Sequence, residues 1–228
     1  MKPQTCGSVR TLVANVEVML RASGALWLET ARTLVVADLH LEKGSAFAAR
    51  GQMLPPYDTG ETLSRLEAEV ALLEPATVIL LGDTLHDSKA GQRIPAEYAQ
   101  RITILAHSRT LVWIVGNHDR EGPQGLAGET ADELDLAGLI FRHEPQAGRI
   151  DVTGHLHPCA RVRGAGRSVR RRCFVTDGER LILPAFGAYA GGLNVRDVAF
   201  AGLFNRTPMA VALGQKAHPV RWSMLAPD

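Results

Sequence analysis

Seven side chains able to bind a metal sit where apolar runs of the chain stop. "TLVVA" runs into Asp38 and His40, "TVILL" into Gly82 and Asp83, and "TLVWIV" into Gly116 and Asn117. Later, His143 follows the apolar "LIF", and His155 and His157 alternate in "GHLHP". Two histidines at i and i+2 on one strand face the same side. Seven donors of Asp, His and Asn type are too many for one four- to six-coordinate ion, whereas two ions sharing a carboxylate would use them all. Ions about 3.5–4 Å apart clamp the attacking and leaving oxygens of a phosphoryl transfer. A mixed nitrogen and oxygen set suits Mn, Fe or Zn; an all-oxygen set would point to Mg or Ca.

Such chemistry needs elements that bring the donors together. "TLVVA" (33–37), "TVILL" (77–81) and "TLVWIV" (110–115) are short, continuous, β-branched runs, the pattern of strands covered on both faces. Between the first two lies "YDTGETLSRLEAEVALLEP", with Leu63, Leu66, Val70 and Leu73 on one helical face and Pro75 just past the end. A shorter helix is expected over 95–107, opened by Pro95. The alternation implies right-handed βαβ units and a parallel sheet, in which Asp38, Asp83 and Asn117 meet at one carboxyl edge. A hairpin, "VEVML" then "ALWLE", precedes them. The second half holds short segments ("LIF", "IDVT", "CARVR", "RCFVT", "RLILP", "VAFAGLF") between glycine-rich turns, the pattern of a second, mixed or antiparallel sheet. The expected architecture is α/β: two packed mixed sheets flanked by helices, an αββα sandwich forming a single domain over 1–228, with the change of sheet near residue 135.

Composition narrows the function classes. Twenty-five basic and 24 acidic residues give a formal charge of +1, so no global field recruits nucleic acid and a polyanion would need a local patch. Three scattered cysteines without CxxC spacing fit a reducing, cytoplasmic setting. The N-terminal stretch has no secretory pattern and no run of 18 apolar residues occurs, so neither export nor a membrane span is expected.

The series "DLH", "GD", "GNHD", "H", "GHLH", spanning residues 38 to 157, resembles the calcineurin-like metallophosphoesterase superfamily, whose fold is a pair of mixed sheets flanked by helices. The resemblance implies that Asp38, His40 and His157 hold one metal, that Asp83 bridges, and that Asn117, His143 and His155 hold the second. It implies a phosphodiester hydrolase working through metal-bound hydroxide, with His118 protonating the leaving-group oxygen and Asp119 orienting His118. Arg120 faces either phosphate or solvent. Many phosphoprotein phosphatases of the superfamily read GDxxDR, where this chain has "GDTLHD". That departure weakens a protein-phosphatase reading and leaves His86 expected near the site, against substrate or behind a ligand.

A narrower resemblance, to the bacterial ligase-associated DNA-damage-response phosphoesterases, rests on "ADLHLEKGSAFAARGQMLPPYDT" and "LPAFGAYAGGLNV". It implies a manganese-dependent phosphodiesterase with DNA endonuclease activity, encoded with an ATP-dependent DNA ligase, a helicase and an exonuclease. Asn194 or the loop backbone around it would then be available to substrate. Six arginines between 161 and 172 (Arg161, Arg163, Arg167, Arg170, Arg171, Arg172) begin four residues after His157. Of these, Arg167, Arg170, Arg171 and Arg172 are expected to hold DNA phosphates, with Lys43 and Arg50 extending the path. Aromatic content of 5% offers no stacking platform for reading bases. The alternatives are a hydrolase of small or cyclic-nucleotide phosphodiesters, with the arginines a solvated hairpin, and a non-catalytic scaffold of the same fold.

Overall fold

In a computed structural model, which describes residues 1–4, 6–123, 125–164 and 167–228, the first half of the chain builds one sheet in chain order. Its elements are β1 (Lys2–Pro3), β2 (Val9–Val13), β3 (Val16–Leu20), β4 (Leu26–Leu28), β5 (Thr33–Ala37), α1 (Lys43–Ala48), α2 (Asp58–Leu73), β6 (Thr77–Leu81), α3 (Ala90–Arg93), α4 (Ala96–His107), β7 (Thr110–Ile114) and β8 (Glu129–Ala131). The strands lie side by side from β1 to β8, antiparallel as far as β5 and parallel from β5 to β8. The expected hairpin is β3–β4, pairing Met19 with Trp27. A second hairpin before it, β2–β3, turns on Ala14 and Asn15, both at positive φ, the geometry of a two-residue turn matched to strand twist.

The second sheet contains β9 (Glu133–Leu136), β10 (Leu139–Arg142), β11 (Val152–Thr153), β12 (Cys159–Gly164), β13 (Arg167–Thr176), β14 (Leu181–Ile182), β15 (Met209–Ala212) and β16 (His218–Arg221). Their order is β16-β15-β13-β14-β11-β10-β9, with β12 paired to the first part of β13 as a projecting arm. The change of sheet falls at Asp132, between β8 and β9. "VAFAGLF" is not a strand. Val198–Phe200 forms a 3-10 turn because the Asp197 carboxylate accepts the Ala199 N–H (2.9 Å) and closes the chain on itself.

Packing follows the strand alternation. Val35, Ala37, Ile79, Leu81, Val112 and Ile114 face Phe141, Val152, Phe174 and Leu181 between the sheets. The opposite face of the first sheet, with Leu34, Val36, Val78, Leu80 and Trp113, is covered by Leu63, Leu66 and Val70 of α2 and Ile102 and Leu105 of α4. Both faces of β5–β7 are therefore buried, which explains why their sequences read as unbroken apolar runs. Arg21, beside the β3–β4 turn, is paired with Glu69 of α2, both nearly buried, and fixes that helix to the sheet. The outer face of the second sheet packs Cys173, Val175 and Ala210 against Val195 and Leu225 from the C-terminal part of the chain. Among the described residues no helix is long and apolar enough to cross a membrane.

Candidate active site

The carboxyl ends of β5, β6 and β7 deliver Asp38, Asp83 and Asn117 to one edge. Beyond the last regular pairing the first two loops stay in register. The N–H groups of Asp38, His40 and Leu41 donate to the carbonyls of Gly82, Asp83 and Thr84 at 3.2, 2.9 and 2.8 Å. The second sheet supplies the remaining histidines. His143 follows β10, and His155 and His157 lie in the loop after β11. The Asp38 carboxylate accepts the His155 N–H (3.1 and 3.0 Å) and thereby joins the two sheets at the site.

The donors form two groups, Asp38, His40 and His157 in one and Asp83, His143 and His155 in the other. In the first, His40 Nε2 lies 3.2 Å from His157 Nε2, which is 3.4 Å from Asp38 Oδ1. In the second, Asn117 Oδ1 lies 2.9 Å from His143 Nε2 and 3.1 Å from His155 Nδ1. The His143 and His155 nitrogens are themselves 3.1 Å apart, and Asp83 Oδ2 is 3.4 Å from His143 Nε2. Nitrogen and oxygen atoms that carry lone pairs thus converge with too few protons to share. A divalent cation in each group would resolve this, so the donor set fits two ions. All seven side chains expected as ligands come together.

Five of the donors sit on strained backbone. Asp38, His40, Asp83, His155 and His157 all have positive φ, between 44° and 67°. Each such non-glycine residue costs about 1–3 kcal/mol, and strain of this kind persists where the surroundings impose it. The motif glycines make room for the donors. A Cβ on Gly82 would overlap the His143 ring, one on Gly116 the Asp83 carboxylate, and one on Gly154 the Asp38 carboxylate.

Electrostatics prepares three of the donors for cations. Burial alone would raise the Asp83 carboxyl, but the hydrogen bond and charge of His143 and the His118 N–H outweigh it and hold it at about 2. Burial, then the neighbouring His157, push His40 down to about 3. Burial lowers His155 too, reinforced by His143. Three of these groups therefore sit in their ligand-ready protonation state at neutral pH.

The model of the calcineurin-like phosphoesterase family matches residues 31–179. This chain belongs to that family. The phosphoesterase is similar to Pseudomonas putida nuclease MPE, whose crystal structure gives a TM-score of 0.72 at 28% identity, covering 93% of this chain and 100% of that chain. Yfce, a phosphoesterase from E. coli, gives 0.40 at 19% identity, covering 78% of this chain and 87% of that one. Comparison with curated proteins gave no match. The family and its converging His and Asp groups make the chain a metal-dependent phosphoesterase.

His118 stands beside both groups. Its Nδ1 lies 2.8 Å from the His86 carbonyl and its Nε2 3.9 Å from Asp83 Oδ2, with the ring partly open to solvent. The expectation that Asp119 orients His118 is corrected here. Asp119 is buried, and its carboxylate accepts the N–H groups of Thr84 (2.8 Å), Leu85 (3.0 Å) and Gly116 (2.8 Å). It ties the β6 loop to the β7 loop, while the His86 main chain orients the imidazole. Burial raises the Asp119 carboxyl even against those three donors. The side chain of His86 lies among the rings of His40, His118 and Phe47, at 5.7, 5.7 and 6.0 Å between centroids. Asp87 is turned away into an ion pair with Arg93 (2.9 Å). Exposed Arg120 borders a cleft of about 420 Å³ next to Asn117 and His143, shared with Asp132, Glu133 and Arg142.

The arginine hairpin departs most from expectation. Arg161 pairs across the strands with Arg170 and Cys159 with Arg172, so these share one face, whereas Arg167 and Arg171 share the other with Val162 and Val169. Arg172 is committed to the fold. It donates to the carbonyls of Ala185 (3.1 Å), Ala188 (3.2 Å) and Ala190 (2.9 Å), and burial lowers its pKa. Arg170 donates to the Gly192 carbonyl (2.6 Å) and lies 3.4 Å from Asp228. Arg167 and Arg171 are exposed. Asn194 is buried, with its amide on the Ala226 carbonyl and its oxygen accepting the Arg196 N–H, so it is withdrawn from substrate. The loop at 183–195 serves instead as a support: Phe186 N–H donates to Ala37 O (2.7 Å) and Gly187 N–H to Asp38 O (3.2 Å).

Sequence reasoning missed the contacts beneath the first motif. The Glu42 N–H donates to Thr59 Oγ1 (2.8 Å), Thr59 Oγ1–H donates to the Glu42 carboxylate (3.0 Å), and Asp58 accepts the Gly44 N–H (2.9 Å). The signal was present as the fingerprint ending in "YDT", but its role is visible only once α1 and α2 meet.

Proposed function

We propose that this phosphoesterase is a binuclear, manganese-preferring phosphodiesterase that cuts DNA, acting as one domain in a cytoplasmic repair setting alongside an ATP-dependent ligase, a helicase and an exonuclease. The observation that carries the reading is a pair of adjacent donor groups with one imidazole, His118, beside them and outside both. Asp38, His40 and His157 would hold one ion; Asp83, Asn117, His143 and His155 would hold the other. When bound, the pair supplies Lewis acidity toward the phosphoryl oxygens and a lowered pKa for water. Four imidazoles, an amide and two carboxylates suit Mn, Fe or Zn better than Mg.

The chain's own residues supply the rest. The His86 carbonyl keeps a proton on His118 Nδ1, so the ring gains or loses its second proton at Nε2, the atom facing the donor groups. A protonated Nε2 donates to the departing oxygen as the ester bond breaks. Asp119 holds the loops of Asp83 and Asn117 in register through three backbone N–H groups. Arg120, at the edge of the cleft by Asn117, would meet a phosphate of the substrate. Similarity to a nuclease supports a polymeric substrate.

A second reading, a hydrolase of small or cyclic phosphodiesters, draws on the hairpin, where Arg172 is spent on carbonyls and the other arginines divide between two faces. A matrix of metals against substrates separates the two. Metal-stripped protein is expected to be inactive, to recover better with Mn²⁺ than with Mg²⁺, and to nick DNA. Cyclic-nucleotide hydrolysis without nicking would select the second reading, and full activity in a demonstrably metal-free sample would sink both.

A further inference from the structure

Two imidazoles near the donor groups belong to neither. His86 and His118 are stacked, 23° apart in plane and 5.7 Å between centroids. The edge of His40 meets both rings, at 5.7 and 5.2 Å between centroids. One ring nitrogen from each of His40, His86 and His118 lies within 4.8 Å of the others. In a tetrahedral site with zinc–nitrogen bonds of 2.0–2.1 Å such atoms stand about 3.3 Å apart, so small side-chain rotations bring the three into range.

We propose that His40, His86 and His118 form a third site, selective for soft divalent ions of the zinc class, whose occupation inhibits the phosphoesterase. Three features support it. The bond between His118 Nδ1 and the His86 carbonyl is the arrangement that fixes the tautomer of a metal-binding histidine and leaves Nε2 free to coordinate. His86 Nδ1 is shielded from solvent and has no hydrogen-bond partner, so that ring carries unused capacity. The triad contains no carboxylate. Imidazole-only ligation favours zinc or copper over manganese, whereas both donor groups for the working ions contain a carboxylate.

Occupation would act twice. It takes the His118 nitrogen that otherwise carries the departing proton, and it competes for His40 with the ion shared by Asp38 and His157. The site does not depend on whether the substrate is DNA or a small ester, so its test separates from the functional reading above.

Crystals of the full-length protein grown with Mn²⁺ and soaked in Zn²⁺ alone are expected to show anomalous scattering at the zinc edge between His86 and His118. In solution, Zn²⁺ is expected to inhibit Mn²⁺-supported hydrolysis of a small phosphodiester with an alkyl leaving group, whose departure needs the His118 proton. The half-inhibiting concentration should rise at least about tenfold in His86→Asn, each protein being normalised to its own uninhibited rate. Zinc confined to the two carboxylate-containing groups, or equal inhibition of both proteins, would overturn the proposal.

Discussion

His118 illustrates what a single residue can and cannot declare. The sequence "GNHD" offered three polar side chains in a row, and ligand counting left His118 over. The structure separates the other two by burial, with Asn117 exposed at the donor cluster and Asp119 hidden beneath the backbone. Side-chain chemistry was legible in the sequence. The identity of the group that orients His118 was not, because a backbone carbonyl carries no residue type and the contact spans 32 positions. If His118 only delivers a proton, His118→Ala should retain its metals and lose about 10²–10⁴-fold on DNA, with far less loss on a nitrophenyl ester whose leaving group needs no proton. Equal losses on both esters would remove it from that role. The glycines of "GD", "GNHD" and "GHLH" belong to the same scale. Each is required because a donor side chain occupies the space of its missing Cβ.

At the scale of elements, continuous apolar runs identified β5, β6 and β7, and the helical faces identified α2 and α4, because burial on two faces or on one stripe leaves a plain periodic trace. The arginine hairpin shows where that method ends. Spacing along the chain made six cations look like one patch, but an antiparallel pair sends alternate side chains to opposite faces, and cross-strand register sorts them. Arg167 and Arg171 remain exposed while Arg172 braces the 183–195 loop. Two different outcomes follow. Arg172→Ala should destabilise the fold by on the order of 2 kcal/mol, the worth of hydrogen bonds to a charged group, and slow cleavage of small and large substrates alike. Replacing Arg167 and Arg171 together should leave unfolding unchanged and, if they touch DNA, flatten the slope of log K against log salt by roughly 1.4–1.8. Denaturant melts and salt titrations of the two variants check this, and an unaltered slope would move the DNA path off the hairpin.

At the scale of the molecule, the donors belong to two sheets: Asp38, His40, Asp83 and Asn117 to the first, His143, His155 and His157 to the second. Bound ions would therefore fasten one sheet to the other as well as carry out chemistry. An ion present at 100 times its dissociation constant adds about 2.7 kcal/mol, and in a chain of this size each kcal/mol is worth about 2–4 °C. Calorimetry with and without chelator should show a midpoint lower by roughly 5–10 °C per ion removed; an unchanged midpoint would mean that the ions do not bridge the layers. The spatial order of the first sheet, which repeats the order of the chain from β1 to β8, also bears on biosynthesis. Each strand finds its neighbour already made, so the sheet can zip up as the polypeptide leaves the ribosome, N-terminal part first. The second sheet has less of this freedom, since β11 must wait for β14 and β13 for β15. Between these moments the nascent chain carries a finished sheet whose inner face of Val35, Ile79 and Ile114 awaits Phe141 and Phe174. That is the interval in which it is most exposed to aggregation and most in need of a chaperone.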